Sequence, residues 1–448
     1  MQSSRKIGFV FVLFVVACSE NSPDPFVYPP AETRQIAVNH ETLPPPERLQ
    51  WDIGGDVEGF GGLFADSSGA LVSLTTDMER ADVLRSAVRA RTATSNSTAR
   101  LLDGRERPLR INHARFTYRS LLEWKNILSM SDTSGLIGGI GVVESKNRIL
   151  VLVEDPGSIP VIRQHANQLG IPSEAFVIAR TRAESTQNLQ TGYFRPTTGG
   201  IRIQAGSGNC SLWGNAVVEG VRYGITASHC TSVMGTVTPD PVYQAGGYIG
   251  SEAIDPPWTV QDRHPECING TRSCRYSDAA AFSYDQSVSS GKTVARISGT
   301  PCGFACWGPM TAIAPDRLNS WVVDYPMDGE VVDKIGSTTG WSRGWVEGSC
   351  FDIRVGSYRK LCTVRVVTSV HPGDSGGPVF FMYGDNARPT GILWGRDWCR
   401  NTFPNLDDGS CPSPGWDDPS YPSNAMYMSA WWAIRQELGF PDASVGWP

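Results

Sequence analysis

The chain has 448 residues, of which 40% are apolar and 19% charged, and its formal net charge is −6. That length accommodates two or three domains with sizeable cores and excludes a small stapled scaffold. The acidic balance excludes the basic footprint of a nucleic-acid binder, and no run of like charge marks an interaction tail.

The chain opens with Arg5 and Lys6, an apolar stretch from Ile7 to Ala17, and then Cys18-Ser19-Glu20. Such a stretch is too short to span a bilayer but suits a secretory signal. Val15-Val16-Ala17-Cys18 resembles the bacterial lipobox. This predicts a signal segment over 1–18 that ends at a lipidated Cys18, the sole route to a membrane. The location expected is the bacterial cell envelope, outer membrane or periplasm, with simple secretion as the alternative. Residues 19–50 are rich in proline and polar groups, which predicts an extended, mobile tether.

Residues 51–190 contain no cysteine and read as a small α+β domain. Gly62 to Leu74 predicts a hairpin closed at a Ser-Gly turn. Asp77 to Arg91 carries apolar residues at helical spacing after a Thr76 cap. Ile140 to Val153 reads as two strands about Ser145-Lys146-Asn147, and Val161 to Leu169 as a helix ending before Pro172. Residues 184–200 are polar and glycine-bearing, a linker of the kind favoured for processing.

From about 191 to 448 the texture becomes all-β, with short strands rich in Val, Ile, Tyr and Trp between Gly, Pro and Asp turns. Ser429 to Gly439 is the exception and reads as a helix stopped by the glycine. Of 11 cysteines, setting Cys18 aside leaves an even number, all between Cys210 and Cys411. In an exported protein this suggests disulfides confined to one domain. Neighbour pairing would give Cys267–Cys274, Cys302–Cys306, Cys350–Cys362 and Cys399–Cys411. No Cys-x-x-Cys occurs and histidines are few, so neither a metal nor another cofactor is expected.

The chemistry concentrates in His371-Pro372-Gly373-Asp374-Ser375-Gly376-Gly377-Pro378. Flanking glycines let the chain turn sharply at the serine. In such a turn the N–H groups of Gly373 and Ser375 can converge on an oxyanion beside the hydroxyl. A serine hydroxyl needs a base to take its proton and a carboxylate to orient that base. His229 stands where an apolar strand end, Ile225-Thr226-Ala227, runs into a small-residue turn. Asp278 precedes Ala279-Ala280-Ala281-Phe282, as a buried acid at a strand start would, with Asp262 and Asp285 as nearby alternatives.

The motifs around His229, Asp278 and Ser375, in that order and at that spacing, resemble the chymotrypsin-like serine endopeptidases. The secreted bacterial branch of streptogrisin and alpha-lytic protease is the nearest in pattern. Lys334 to Trp341 and Arg195 to Ile203 are also similar to segments of that branch. The resemblance implies an all-β protease domain of two six-stranded barrels over 191–448, with the preceding α+β domain acting as a pro-region or accessory partner. It implies peptide-bond cleavage through a His229-Asp278-Ser375 triad and a bridge between Cys210 and Cys230. It also implies a primary pocket with Ser369 at its base and Leu393, Trp394 and Gly395 along one side. The acid matching Asp374 pairs in that family with a buried cation, which the sequence does not identify here. His371 stands where many relatives carry a cysteine, and an imidazole there could read an acidic side chain.

Two other functions compete. A catalytically idle relative would bind extracellular peptide or protein with the same fold. A carboxylester hydrolase would normally place its serine in Gly-x-Ser-x-Gly within an alternating α/β pattern, which this chain lacks.

Overall fold

The computed structural model describes residues 43–66, 68–94, 107–132, 135–180, 183–185, 193–206, 208–258, 267, 273–297, 313–318, 325–383, 386–397 and 423–440. Cys18, most of the tether, Asp262 and the cysteines at 302, 306, 399 and 411 lie outside the described residues.

The tether expectation needs one correction: its end is helical. α1 spans Pro45–Asp56 with proline in its first turn, where the missing N–H and fixed φ cost nothing. Leu49 and Ile53, four apart, are buried on its inner face. The expected hairpin forms from Phe60–Ala65 and Leu71–Thr75, paired antiparallel, and Leu109–His113 adds in parallel. The predicted helix begins as a tight turn at Met78–Arg80 capped by Asp77, not Thr76, and continues as α2, Ala81–Thr94. Asp77 wins because its carboxylate reaches the N–H of Glu79, two residues on.

Sequence reading missed α3, Tyr118–Ser131, whose Leu121, Leu122, Lys125 and Leu128 face inward. Ile137–Val143 and Arg148–Val153 pair as the expected two strands. Between them Asn147 takes a φ of 52°, and its side chain holds Arg115, Phe116 and Gly61 backbone groups. α4, Ile159–Gln168, follows, and Phe176–Arg180 closes the unit in parallel beside Arg148–Val153.

This three-stranded element is continuous with the rest of the molecule. Gly340–Val355 and Tyr358–Val370 form a long hairpin. Its first strand pairs with Ile137–Val143 through Asp352↔Ile140 and Ile353↔Gly139. Gly139 and Gly141 are required there: a Cβ would lie 2.7 Å from Ile353 and 2.7 Å from Phe351 respectively. A joint core of Val143, Leu150, Leu152, Phe351, Ile353, Trp394 and Tyr427 fills the junction.

Among the described residues the remainder makes two sheets. Seven strands between Arg202–Ala205 and Ala280–Tyr284 form one. The other contains the long hairpin, Val331–Gly336, Pro378–Tyr383, Asn386–Asp397 and Ser423–Ala430. The fold is therefore mostly β, although these strand counts do not reproduce two sets of six. One core spans both sheets, with Ile225, Ala281 and Phe282 from the first meeting Ile335, Phe380 and Ile392 from the second and Trp431 from the last helix. Trp213 stacks on Trp431 at 4.8 Å and 7°, and its indole N–H donates to the Gly391 carbonyl. The last helix, α5, spans Trp431–Leu438 and ends at Gly439 with φ 69°, as its sequence predicts.

Candidate active site

His229 sits in a tight turn, Ser228–Cys230, directly after the strand Val221–Thr226. The bridge between Cys210 and Cys230 ties this turn to the strand Gly208–Ser211. Ser228 is anchored in turn. Its hydroxyl donates to Asp255, and Asp255 pairs at 3.0 Å with the buried Arg275. Every group here is inside the protein, so each polar atom must find a partner or cost stability.

Asp278 reaches the same turn from the opposite side. One carboxylate oxygen accepts the backbone N–H of His229 at 3.0 Å. The other lies 3.3 Å from its Nδ1. Asp278 donates its own N–H to Ser429. The turn before it is held by Glu437 of α5, which accepts from the N–H groups of Tyr276 and Ser277 and from the Ser277 hydroxyl. Asp285, one of the two alternatives, instead caps its own loop through Ser287. Burial by itself would raise the Asp278 carboxyl. The Lys360 ammonium at 3.2 Å and the His229 imidazole outweigh it and hold the group far below the usual carboxylate range.

Ser375 lies in a loop with left-handed glycines at Gly373 and Gly376, φ 97° and 85°. Gly376 is pressed against the strand end that leads to His229, where a Cβ would collide with the Ser211 carbonyl and the Thr226 hydroxyl. Ser211 also donates its N–H to the Ser375 carbonyl and its hydroxyl to the Gly373 carbonyl. Ser337 bonds the same Gly373 carbonyl at 2.7 Å. The Thr338 hydroxyl donates to the Pro372 carbonyl at 2.6 Å, which holds the peptide that carries the Gly373 N–H.

The cation that the sequence left unidentified is Lys334. Its ammonium lies 2.7 Å from Asp374, both side chains being buried. Burial pulls the lysine down and pushes the aspartate up. The pairing, with hydrogen bonds from Thr339, leaves the Asp374 carboxyl below its ordinary value. Lys334 opens the Lys-Ile-Gly-Ser segment already singled out, so a signal existed; what was lacking was the knowledge that this strand lies beneath the serine loop.

Leu393 meets the serine loop through paired backbone bonds, Gly376 N–H to its carbonyl and its N–H to Gly377. Trp394 is buried and stacked on Tyr427 at 5.5 Å. Gly395 pairs with Ser185, within an antiparallel register that joins 183–185 to 395–397. Ser369 is fully buried, its carbonyl accepting from Ser342. His371 donates its N–H to Asp374 at 3.0 Å. Cys210, His229 and Cys230 are close enough for a metal, but the two sulfurs are bonded to each other. Cys267–Cys274 and Cys350–Cys362 also form.

A mostly β chain with this serine loop resembles the bacterial chymotrypsin-like serine proteases, and comparisons with known proteins agree. It is 25% identical over 205 residues to streptogrisin-A of Streptomyces griseus, covering 45% of this chain and 54% of that one. The chain thus spans about half the length of that relative. No family model matches. Among solved structures, a glutamic-acid-specific serine protease using a histidine triad in substrate binding is 19% identical. The match covers 54% of this chain and 98% of that one, at a TM-score of 0.34. Protease A of Thermobifida fusca is 16% identical, with coverages of 54% and 95% and a TM-score of 0.33. Alpha-lytic protease homologue N4 is 18% identical, with coverages of 54% and 97% and a TM-score of 0.32. Among the described residues, no helix is long and apolar enough to cross a membrane.

Proposed function

We propose that this chain is an exported serine endopeptidase made as a precursor. Ser375 Oγ attacks the scissile carbonyl carbon while its proton passes to His229, and the N–H groups of Gly373 and Ser375 receive the oxyanion. Collapse expels the amine, which takes the proton back from His229 and leaves an acyl-enzyme. Water, deprotonated by His229, then releases the acid. Asp278 keeps the imidazole in the required tautomer and stabilises its cation. Asp374 has no part in proton transfer.

The observation that carries this reading is the double hold of Asp278 on His229, through N–H and Nδ1, in a turn against which the Ser375 loop is packed. Substrate would lie as an extended strand beside Leu393, Trp394 and Gly395, with Ser369 at the pocket base. In the full chain, residues 183–185 occupy the 395–397 edge, which supports an N-terminal unit over 51–190 that blocks the cleft until the linker is cut.

Labelling with a fluorophosphonate tests this. The expected result is label on Ser375 that is lost in His229→Ala, and that rises when 186–192 is cleaved. No label in either form would overturn the enzyme reading and favour a peptide-binding protein.

A further inference from the structure

Lys360 is a fully buried lysine on the second strand of the long hairpin, and the mechanism above has no use for it. Its ammonium lies 3.2 Å from Asp278 Oδ2. That is the same oxygen that faces His229 Nδ1 at 3.3 Å. One carboxylate oxygen is therefore shared between the imidazole and a buried neighbour of opposite charge. The neighbour is held firmly. Lys360 also donates to the Ser277 carbonyl at 3.3 Å, and its ammonium lies 4.8 Å from the Trp258 ring centre.

Arg275, which pairs across with Lys360, comes from Ser273–Arg275. The turn before Ala279 supplies Asp278, and α5 supplies Glu437. Asp255, just after the strand Gly247–Ile254, binds Arg275. The opposite hairpin strand presents the apolar Ile353, and the loop after His229 presents Met234. Two cations thus stand among three carboxylates, beside one imidazole.

We propose that Lys360 is a positioning residue of the triad: it fixes Asp278 and takes up part of its charge, so that its own protonation state sets the basicity of His229. The inference rests on the endopeptidase reading for its catalytic meaning. With the ammonium charged, Asp278 stabilises an imidazolium less, and His229 stays unprotonated to lower pH. When the ammonium gives up its proton, the full carboxylate charge acts on His229 and the base strengthens. Burial brings this lysine down to about 8, against the pull of Asp278, so the ammonium gives up its proton in mildly alkaline solution.

The test is a ring-nitrogen NMR titration of His229 in the full chain, with the signal assigned by its absence in His229→Gln. Lys360→Met should raise the His229 midpoint by about one pH unit or more, the size expected when a charge within a few ångströms is removed. Lys360→Arg should leave the midpoint where it is in the native chain. It should also lose the second inflection that the native His229 signal shows as the lysine deprotonates. The acid limb of kcat/KM should move with the ring midpoint. Equal midpoints in the native chain and Lys360→Met would overturn the proposal. Should Lys360→Met not fold, a second inflection that persists in Lys360→Arg, or is missing from the native chain, would overturn it equally. Because the titration needs no turnover, a chain that cleaves nothing would sink the protease reading while leaving this one to be decided.

Discussion

The ammonium of Lys334 lies 2.7 Å from the carboxylate of Asp374, one position before the predicted nucleophile. Asp374 uses its remaining lone pairs on the N–H groups of Thr338, Thr339 and His371 and on the Thr339 hydroxyl. The pair therefore connects the strand Val331–Gly336 to the loop bearing Ser375.

Replacing Lys334 by Met leaves that carboxylate buried without its cation. Breaking one side of a buried pair typically costs about 3–5 kcal/mol. The expected outcome is a fall of that size in urea-measured stability, together with slower fluorophosphonate labelling of Ser375. Unchanged labelling in a folded Lys334→Met variant would separate the pair from the oxyanion loop.

The legibility of the sequence follows the range of the forces involved. Gly373 to Pro378, the Ser228–Cys230 turn and the glycine stop of α5 are local, and each could be read from a few neighbouring residues. The hairpin at 60–75 and the strands flanking Asn147 are also local, because a turn signal sits between two apolar runs. Lys334 and Lys360 were not legible as site residues. Each acts 40 residues or more away from its acidic partner, and nothing in a lysine within a strand announces that it will be buried. α3 was missed for a different reason: its inner face includes Lys125, which reads as solvated until Glu47 and Asp352 are seen to hold it. The sheet continuing from Ile137–Val143 into the long hairpin is likewise a long-range pairing, signalled only by glycines at 139 and 141.

Those glycines give a prediction. Gly141→Val would drive a side chain into the Phe351 ring, which a Cβ alone would meet at 2.7 Å. After cleavage of the linker, the N-terminal part should dissociate more readily, seen as two peaks in size-exclusion chromatography. In the uncut chain, Ser375 should label faster. Co-elution like that of the unsubstituted chain would mean that this strand pair does not carry the docking.

Glu437 gives another. It accepts the N–H groups of Tyr276 and Ser277 and holds the turn leading to Asp278. In Glu437→Ala the turn loses those bonds while the packing of Trp431 and Ile434 is untouched. Small displacements of a positioned group can cost about 100-fold in rate. We expect kcat to fall by about 10- to 100-fold with the melting transition little changed. A variant with native kcat would show that Asp278 is fixed without help from α5.

The last prediction concerns pH and the junction between the two parts of the chain. Asp328 accepts the N–H of Ser145 at 2.8 Å, and Glu144 is buried close by. Burial, chiefly, lifts the Asp328 carboxyl to about 6. Burial and then the charge of Asp328 push Glu144 well above its ordinary value, with Glu47 adding to this and Lys125 opposing it. Lys146 opposes the rise at Asp328. A carboxyl whose pKa is higher when docked binds a proton on docking. Its favourable contribution is therefore complete below the ordinary carboxylate pKa and is lost as pH rises through the docked value. The association of the two parts, after linker cleavage, should be tightest below about pH 4 and should weaken as pH rises through 4 to 7. The limit set by Asp328 alone is about 100-fold, from a shift of about two units. Asp328→Asn removes that ionisation and should flatten the profile, as Glu144→Gln should over its own range. An association constant that is flat or rises between pH 5 and 7 in the unsubstituted chain would show that these carboxyls stay ionised in the junction and that docking is not linked to proton uptake.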